Sequence, residues 1–354
     1  MLYNSTMQSA QPDFTTYLKQ TSAEIEKELN TFSHYWNQYI QTGFSDLEEI
    51  NKRFTQSFYG GKMLRGTLVK LGYELFEKKS SHEIIKPAIA WELLHTALLI
   101  HDDIIDQSPT RRGKPSMHLT KKDAHYGISQ ALCLGDLGIV HAIKLINESI
   151  FPVEVKNRAT SYFLQIISDT ILGEMLDVEI SQMHKRTEKQ IMDIHKMKTA
   201  NYTIVGPLTL GALLAGAGDS DLEKIKHFGE PLGIAFQIQD DILGIFGDDE
   251  IIGKSTTSDI EENKSTLLIT YAMEHANQEQ KKLLKQHYGQ KNITTKQHED
   301  IKKIFEQTGA LSYSQNKIKE LTKQAKTIIS HITTEKNKQM LLEQFSDLLI
   351  QRRK

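Results

Sequence analysis

Apolar residues recur at three- and four-residue spacing through most of the chain, as at Leu68, Leu71 and Leu75 and again at Leu164, Ile167 and Ile171. This is the period of helices that turn one face toward a core. The apolar stretch over 84–100 runs too long for a strand and carries Ala, Leu, Glu and His rather than β-branched and aromatic residues, so it too predicts a helix. Turn chemistry interrupts the pattern at 59–61, 108–114, 151–152, 216–220 and 247–257. Only seven prolines are present and no Gly/Ser/Pro-rich linker separates two halves. The expectation is one all-α domain, a helical bundle over 21–354, preceded by a flexible N-terminal tail over 1–20. The stretch 277–338, rich in Lys, Gln and Thr, predicts solvated helical hairpins around an apolar stripe.

Composition narrows the possible partners. A formal net charge of -2 at pH 7 gives nucleic acid or an anionic membrane no bulk attraction, so recognition of phosphate must be local. A single cysteine, Cys133, excludes an intramolecular disulfide and suits a reducing cytoplasm. The first twenty residues lack the basic and apolar regions of a signal peptide, and no run is expected to reach the ~18 apolar residues of a membrane helix. A cytoplasmic protein is expected.

Charge clusters carry the chemistry. In HDDIIDQSPTRRG (101–113), Asp102 and Asp106 stand at i and i+4 on one helix face, with Asp103 about 100° round. Like charges so placed repel until a cation joins them, and oxygen-only ligands favour Mg²⁺, which bridges carboxylates to substrate phosphates. A second double aspartate, Asp240 and Asp241 in FQIQDDILGIFGD (236–248), also follows an apolar helical stretch, where an unpaired charge is costly. Two such helices facing each other bring both acidic pairs to one mouth of a cavity. Basic residues follow each motif: Arg111 and Arg112 after the first, Lys254 and Lys264 after the second. Metal with Arg and Lys is the usual means of holding a diphosphate. His95 precedes Asp102 by seven residues, two helical turns or ~10.5 Å, so both can face one cavity.

Taken in order, GGKMLRG (60–66), ELLHTALLIHDDIID (92–106) with TRRG (110–113), KTANYT (198–203) and FQIQDDIL followed by GK and SDIEENK resemble the motifs of the trans-isoprenyl diphosphate synthases, the polyprenyl synthetase family. The similarity runs from about residue 59 to the C-terminal RRK. It implies an all-α bundle of isoprenoid synthase type around a deep central cavity, a homodimer, and Mg²⁺-assisted condensation of isopentenyl diphosphate with an allylic diphosphate. By the same resemblance Lys62, Arg65, His95 and Arg112 hold isopentenyl diphosphate, while Arg111, Lys198, Lys254 and, less closely matched because of one extra residue, Lys264 surround the allylic diphosphate. Asp102 and Asp106 match ligands of two Mg²⁺ ions and Asp240 the ligand of a third, with Asp103 and Asp241 behind them. Thr199 and Gln237 match polar groups beside the carbocation, and Arg352, Arg353 and Lys354 match a basic tail over the isopentenyl site.

Departures from the family pattern are Gly244 in place of a third aspartate, Glu174 where Gln is common, and Met63 in place of an arginine. None removes a direct metal ligand, and activity is expected to survive. Leu98 and Ala97, four and five positions before the first aspartate, include no aromatic, so the family's chain-length logic implies a C20 product, geranylgeranyl diphosphate, with longer polyprenyl chains as the alternative. A terpene cyclase would not need Lys62, Arg65 and His95 for a second diphosphate. A non-catalytic partner of a heteromeric synthase would usually lack first-motif aspartates that this chain keeps.

Overall fold

Helix α1 (Phe14–Gly43) begins at Asp13, whose carboxylate accepts from the Thr15 and Thr16 amides. Phe14 is buried, with its ring centroid 5.1 Å from that of Phe345 near the C-terminus. Residues 14–20 therefore belong to the folded body, and the expected boundary at residue 21 moves back to the cap at Asp13. The computed structural model describes residues 13–77, 81–183, 185–248 and 255–351.

The expected all-α architecture is observed. After α1 come α2 (Glu48–Ser57), α3 (Leu64–Phe76), α4 (Ile85–Ile105), α5 (Ala124–Asn147), α6 (Val153–Ser181) and α7 (Glu188–Ile194). A π-helical stretch, His195–Val205, leads into α8 (Gly206–Leu214) and α9 (Asp219–Phe246). The C-terminal third comprises α10 (Ser258–Glu261), α11 (Leu267–His275), α12 (Gln278–His287), α13 (Thr295–Gln307), α14 (Ala310–Ile332) and α15 (Lys336–Ile350). The expected breaks at 59–61, 108–114 and 151–152 fall between helices, that at 216–220 runs into the first turn of α9, and that at 247–257 lies largely outside the described residues; the 277–338 region forms α12 to α14 around buried Leu284, Ile301, Phe305 and Ile318.

Trp91 and Phe163 anchor the core between α4 and α6, their rings edge to face at 5.0 Å. A second apolar cluster joins α1, α3, α8, α9, α14 and α15 around Phe228 and Phe345. The Leu68, Leu71, Leu75 stripe is fully inside, whereas in the α6 stripe Ile167 is buried and Leu164 and Ile171 are 43% and 44% exposed.

One expectation needs correction. Two helical spans, His82–Ile105 and Ala124–Asn147, are long and apolar enough to cross a membrane. In the first, 72% of the apolar window is packed inside the protein, as befits a central core helix; in the second, α5, only 33% is covered. Long apolar helices arise here because α4 lies in the middle of the bundle and needs no polar face.

A hairpin was also not foreseen. Strands β1 (Thr110–Arg111) and β2 (Lys114–Pro115) pair antiparallel, with Arg112 at φ 51° and Gly113 at φ 71° between them. Consecutive left-handed residues make the tight turn suited to twisted strands. It projects Arg111 and Arg112 in different directions.

The π-helical stretch is clamped on both sides. A Cβ on Gly173 of α6 would stand 2.7 Å from the Lys198 nitrogen, and one on Gly233 of α9 would stand 2.5 Å from the Ala200 Cα. Only glycine allows these helices to come so near. Wide turns of this kind change which side chains share a face and are often found at functional sites.

Candidate active site

Helix α4 carries Asp102 and Asp103 in its last turn and Asp106 as its C-cap residue. Asp103 is 2% exposed and accepts from Arg111 Nε at 2.8 Å, while Arg111 Nη2 also reaches Asp102 Oδ2 at 3.2 Å. The hairpin thus folds its first arginine back onto the aspartates that precede it. Burial works against the Arg111 cation, but the Asp103 hydrogen bond and the surrounding carboxylates keep its pKa above the ordinary guanidinium value. Among the described residues Asp106 has no such partner: burial first, and the Asp102 charge second, push its carboxyl up to about 7.

Opposite them, the π-helical stretch presents Lys198. Its ammonium lies 2.5 Å from Glu174, 3.1 Å from Asp177 and 3.6 Å from Asp102. Desolvation opposes the cation, yet the three carboxylates raise its pKa well beyond the usual lysine range. Asp177 was not identified from sequence, although its place three residues after Glu174 in GEMLD puts both acids on one face of α6.

The second motif forms its own network. Thr199 Oγ1 donates to Gln237 Oε1 at 2.8 Å, and Gln237 Nε2 donates to Asp241 Oδ1 at 2.8 Å. Lys264 Nζ sits 3.2 Å from Asp241 and 3.4 Å from Asp259. Burial disfavours the charged Asp241, but Lys264, His195 and Gln237 together hold its carboxyl down at about 2. Lys264 is raised despite burial, because Asp259, Asp241, Asp240 and Asp177 surround it. Asp177 is felt by both lysines, and Asp106 feels Glu262 beyond the second motif. Charges of the two acidic motifs are thus near enough to act on shared neighbours.

Beside this acidic pair lies a cationic group. Arg65 Nη1 donates to His95 Nε2 at 3.2 Å and Arg65 Nη2 donates to Thr203 Oγ1 at 2.9 Å. Since arginine can only donate, Nε2 is the acceptor nitrogen of His95 and Nδ1 carries the hydrogen facing Tyr202 Oη at 2.5 Å. Burial, reinforced by Arg65, Arg112 and Arg111, keeps His95 well below its usual pKa, so the ring is neutral. Arg112 donates to the Ser57 and Tyr59 carbonyls at 3.2 and 3.0 Å and lies against Gly61, where a Cβ would come within 2.9 Å of its guanidinium. Lys62, two residues before α3, is exposed.

Glu92, buried one turn before His95, accepts from the Gly66 amide at 2.7 Å and so fixes the first turn of α3 that carries Arg65. Met63 takes a left-handed conformation at φ 49° and is 1% exposed, its side chain in the core where an arginine would not be accommodated. Tyr202, Thr203, Glu92 and His195 were not selected from sequence; their polarity in otherwise apolar helices was the available signal. Lys254, Arg352, Arg353 and Lys354 lie outside the described residues.

Could these carboxylates hold a metal? Among the described residues no three His, Cys, Asp or Glu side chains are arranged so as to hold a metal ion by themselves, and the three carboxylates that do converge are gathered on the Lys198 ammonium. An ion held by Asp102, Asp106 or Asp240 must take the rest of its coordination shell from diphosphate oxygens and water, which is the habit of Mg²⁺. The raised Asp106 carboxyl fits this need, because a nearby cation would favour its charged form and offset the burial and the Asp102 charge that oppose it.

Comparison with known proteins places the chain in a family. Residues 47–308 match the polyprenyl synthetase family. The chain belongs to that family. It is similar to the geranylgeranyl diphosphate synthase of Sulfolobus acidocaldarius, with 29% identity over 92% of this chain and 100% of the relative. A farnesyl pyrophosphate synthase of Candida albicans is 33% identical over 71% of this chain and 73% of its own. Among solved structures, geranylgeranyl pyrophosphate synthase from Corynebacterium glutamicum, complexed with isoprenyl diphosphate and magnesium, superposes with a TM-score of 0.85 at 25% identity, covering 96% of this chain and 99% of that one.

Proposed function

We propose that the protein is a Mg²⁺-dependent trans-prenyltransferase that condenses isopentenyl diphosphate with an allylic diphosphate and releases pyrophosphate, with geranylgeranyl diphosphate as its main product. The observation that carries this proposal is the division of the site into two. One part pairs acidic residues with Lys198, Lys264 and Arg111; the other sets Arg65 and Arg112 around the neutral His95 and a single buried carboxylate, Glu92. The first suits a diphosphate that arrives with metal, and the second one that is held by cations alone.

Asp102, Asp106 and Asp240 would hold the ions, three in number by the resemblance to the family, with Asp103 and Asp241 fixing Arg111 and Lys264 behind them. Mg²⁺, when bound, neutralises the allylic diphosphate and makes it a better leaving group. Lys198 and Arg111 then exchange carboxylate partners for phosphate oxygens, and Lys254 is proposed to join them. The oxygens of Thr199 and Gln237 stabilise the allylic cation left when the C–O bond breaks. The π-bond of isopentenyl diphosphate attacks that cation, and the departing pyrophosphate is the base for the proton that is lost. His95, held neutral between Arg65 and Tyr202, orients Arg65 without competing for the diphosphate.

Product length follows from what lies below Asp102. Leu98, one helical turn beneath it on nearly the same stripe, is partly buried and not aromatic. Ala97 points elsewhere: a Cβ on Gly138 of α5 would stand 2.8 Å from the Ala97 Cβ, so that face of α4 is filled by α5. A leucine floor supports growth past fifteen carbons, and the likeness to geranylgeranyl diphosphate synthases supports C20.

Homodimerisation and a cytoplasmic location belong to the same proposal. Leu132, Leu137 and Val140 on α5 and Ile171, Leu172 and Met175 on α6 are exposed on neighbouring helices, an apolar surface that a second copy would cover.

Incubation of the purified protein with Mg²⁺, isopentenyl diphosphate and each of the dimethylallyl, geranyl and farnesyl diphosphates, followed by sizing of the dephosphorylated products, tests the proposal. A dominant C20 alcohol is expected. Products of C15 or of C30 and longer would refute the assigned length, and no product from any primer would refute the activity.

A further inference from the structure

The Gln237 amide has a defined orientation. Its nitrogen donates to Asp241 and its oxygen accepts from Thr199, each at 2.8 Å. A flipped amide would set its oxygen against the Asp241 carboxylate, so Asp241 decides which way Gln237 points. The direction of Gln237 in turn decides where the Thr199 hydroxyl hydrogen goes. With that hydrogen committed to Gln237, the lone pairs of Thr199 remain for an electron-poor carbon; reversed, the hydroxyl would present its positive end.

Asp241 itself is held from two sides. Lys264 meets Oδ1 at 3.2 Å and is shared with Asp259, while His195 Nε2 lies 3.2 Å from Oδ2. Lys264 is 23% exposed and able to turn toward a bound diphosphate; the side chain of His195 is 4% exposed and confined at the start of the π-helical stretch. Among the described residues both its Nδ1 and Asp241 Oδ2 are buried without a hydrogen-bond partner, so Nε2 meets that oxygen as a close polar contact, an arrangement that is unfavourable unless the ring is retained for it.

Taking the prenyl-transfer function proposed above as given, we propose that His195 is a positioning residue for the carbocation step. It keeps Asp241 in place when Lys264 turns to substrate, and through Asp241 it fixes Gln237 and the Thr199 hydroxyl. His195 is too deeply buried to touch substrate, so its loss alters the rate of ionisation and the fate of the cation, with little effect on diphosphate binding.

The test compares His195→Leu and His195→Gln, the latter keeping an N–H donor within reach of Asp241. For His195→Leu we expect kcat to fall by about tenfold or more, KM for both diphosphates to stay within about twofold, and water-trapped allylic alcohol to form a larger share of the products. His195→Gln should recover most of kcat. In a Gln237→Leu background the His195→Leu loss should largely disappear, because both changes remove one linkage. Undiminished kcat in His195→Leu, or a loss of equal size in both backgrounds, would overturn the proposal. A readout without substrate separates this inference from the wider function: the Gln237 side-chain amide resonances, assigned by their loss in Gln237→Leu, should shift in His195→Leu and return in His195→Gln. If the wild-type protein turns nothing over yet those resonances shift, the prenyl-transfer function fails and the linkage stands; if they do not shift, the linkage fails. Should His195→Leu not fold, His195→Asn, too short to reach Asp241, replaces it in each comparison.

Discussion

Lys198 Nζ lies 2.5 Å from Glu174 Oε2, closer than to either of its other carboxylate neighbours. The cation proposed to receive the allylic diphosphate is therefore engaged by a residue that stands where Gln is common in the family. Replacing Glu174 with Gln removes that competitor and leaves Asp177 and Asp102 to orient the lysine. The expected result is a KM for the allylic diphosphate lower by about fivefold, the scale of one partly screened ion pair. Initial rates against primer concentration at saturating Mg²⁺ measure it, and an unchanged or higher KM would show that Glu174 does not compete.

Asp106 predicts a dependence on pH. Its carboxyl is raised to about 7 by burial and Asp102, so in the metal-free protein it is largely protonated at pH 6 and largely charged at pH 8. The sign follows: a carboxyl whose folded pKa is raised contributes stability below its unfolded pKa near 4, and that contribution is lost as pH rises through about 7. Mg²⁺ with pyrophosphate reverses the loss by pairing with the charged form. Melting temperature should therefore gain more from Mg²⁺ and pyrophosphate at pH 8 than at pH 6. Asp106→Asn should remove most of that difference.

Gly244 and Asp259 are in contact by necessity. A Cβ at position 244 would fall within 2.2 Å of the Asp259 carboxylate, which is 1% exposed and lies beside Lys264. Gly244→Ala should therefore destabilise the fold by about 1–3 kcal/mol, as overpacking of a tight interior does, readable in thermal or urea unfolding. Gly244→Asp, which restores the family's third aspartate, should be worse still, because it adds a charge beside a buried one. A Gly244→Asp protein as stable as wild type would mean that Asp259 can move aside freely.

For product length, Leu98→Phe should shift the main product toward C15, since a ring one turn below Asp102 closes the space beneath the aspartates. Ala97→Phe should instead lower the melting temperature, because its ring would meet α5 at Gly138. A shortened product from Ala97→Phe with unchanged stability would place the floor at Ala97.

How much of this was present in the order of residues can be judged from particular positions. The helical character, the breaks at 59–61, 108–114 and 151–152, and the clustering of Asp102, Asp103 and Arg111 and of Asp241 and Lys264 were legible, because period and motif spacing are local properties of the chain. The N-terminal boundary was misplaced at residue 21, since a threonine-rich stretch hides a helix that becomes stable only when Phe14 meets Phe345, some 330 residues away. Cys133 lies exposed on α5, as an unpaired cysteine can.

What only the tertiary structure decided concerns meetings between distant helices. That Ala97 faces Gly138 rather than open space, that Asp259 fills the place beside Gly244, that Asp177 meets Lys198 and that His195 lies against Asp241 depend on rotations of one helix against another. The π-helical stretch shifts the side chains of 195–205 off the 3.6-residue period from which a face is deduced. Sequence by itself determined which chemical groups the protein owns and on which local face each stands; the close approaches permitted by Gly138, Gly173, Gly233 and Gly244 determined which of them touch, because long-range packing is chosen by the fit of whole surfaces and leaves no periodic trace in the chain.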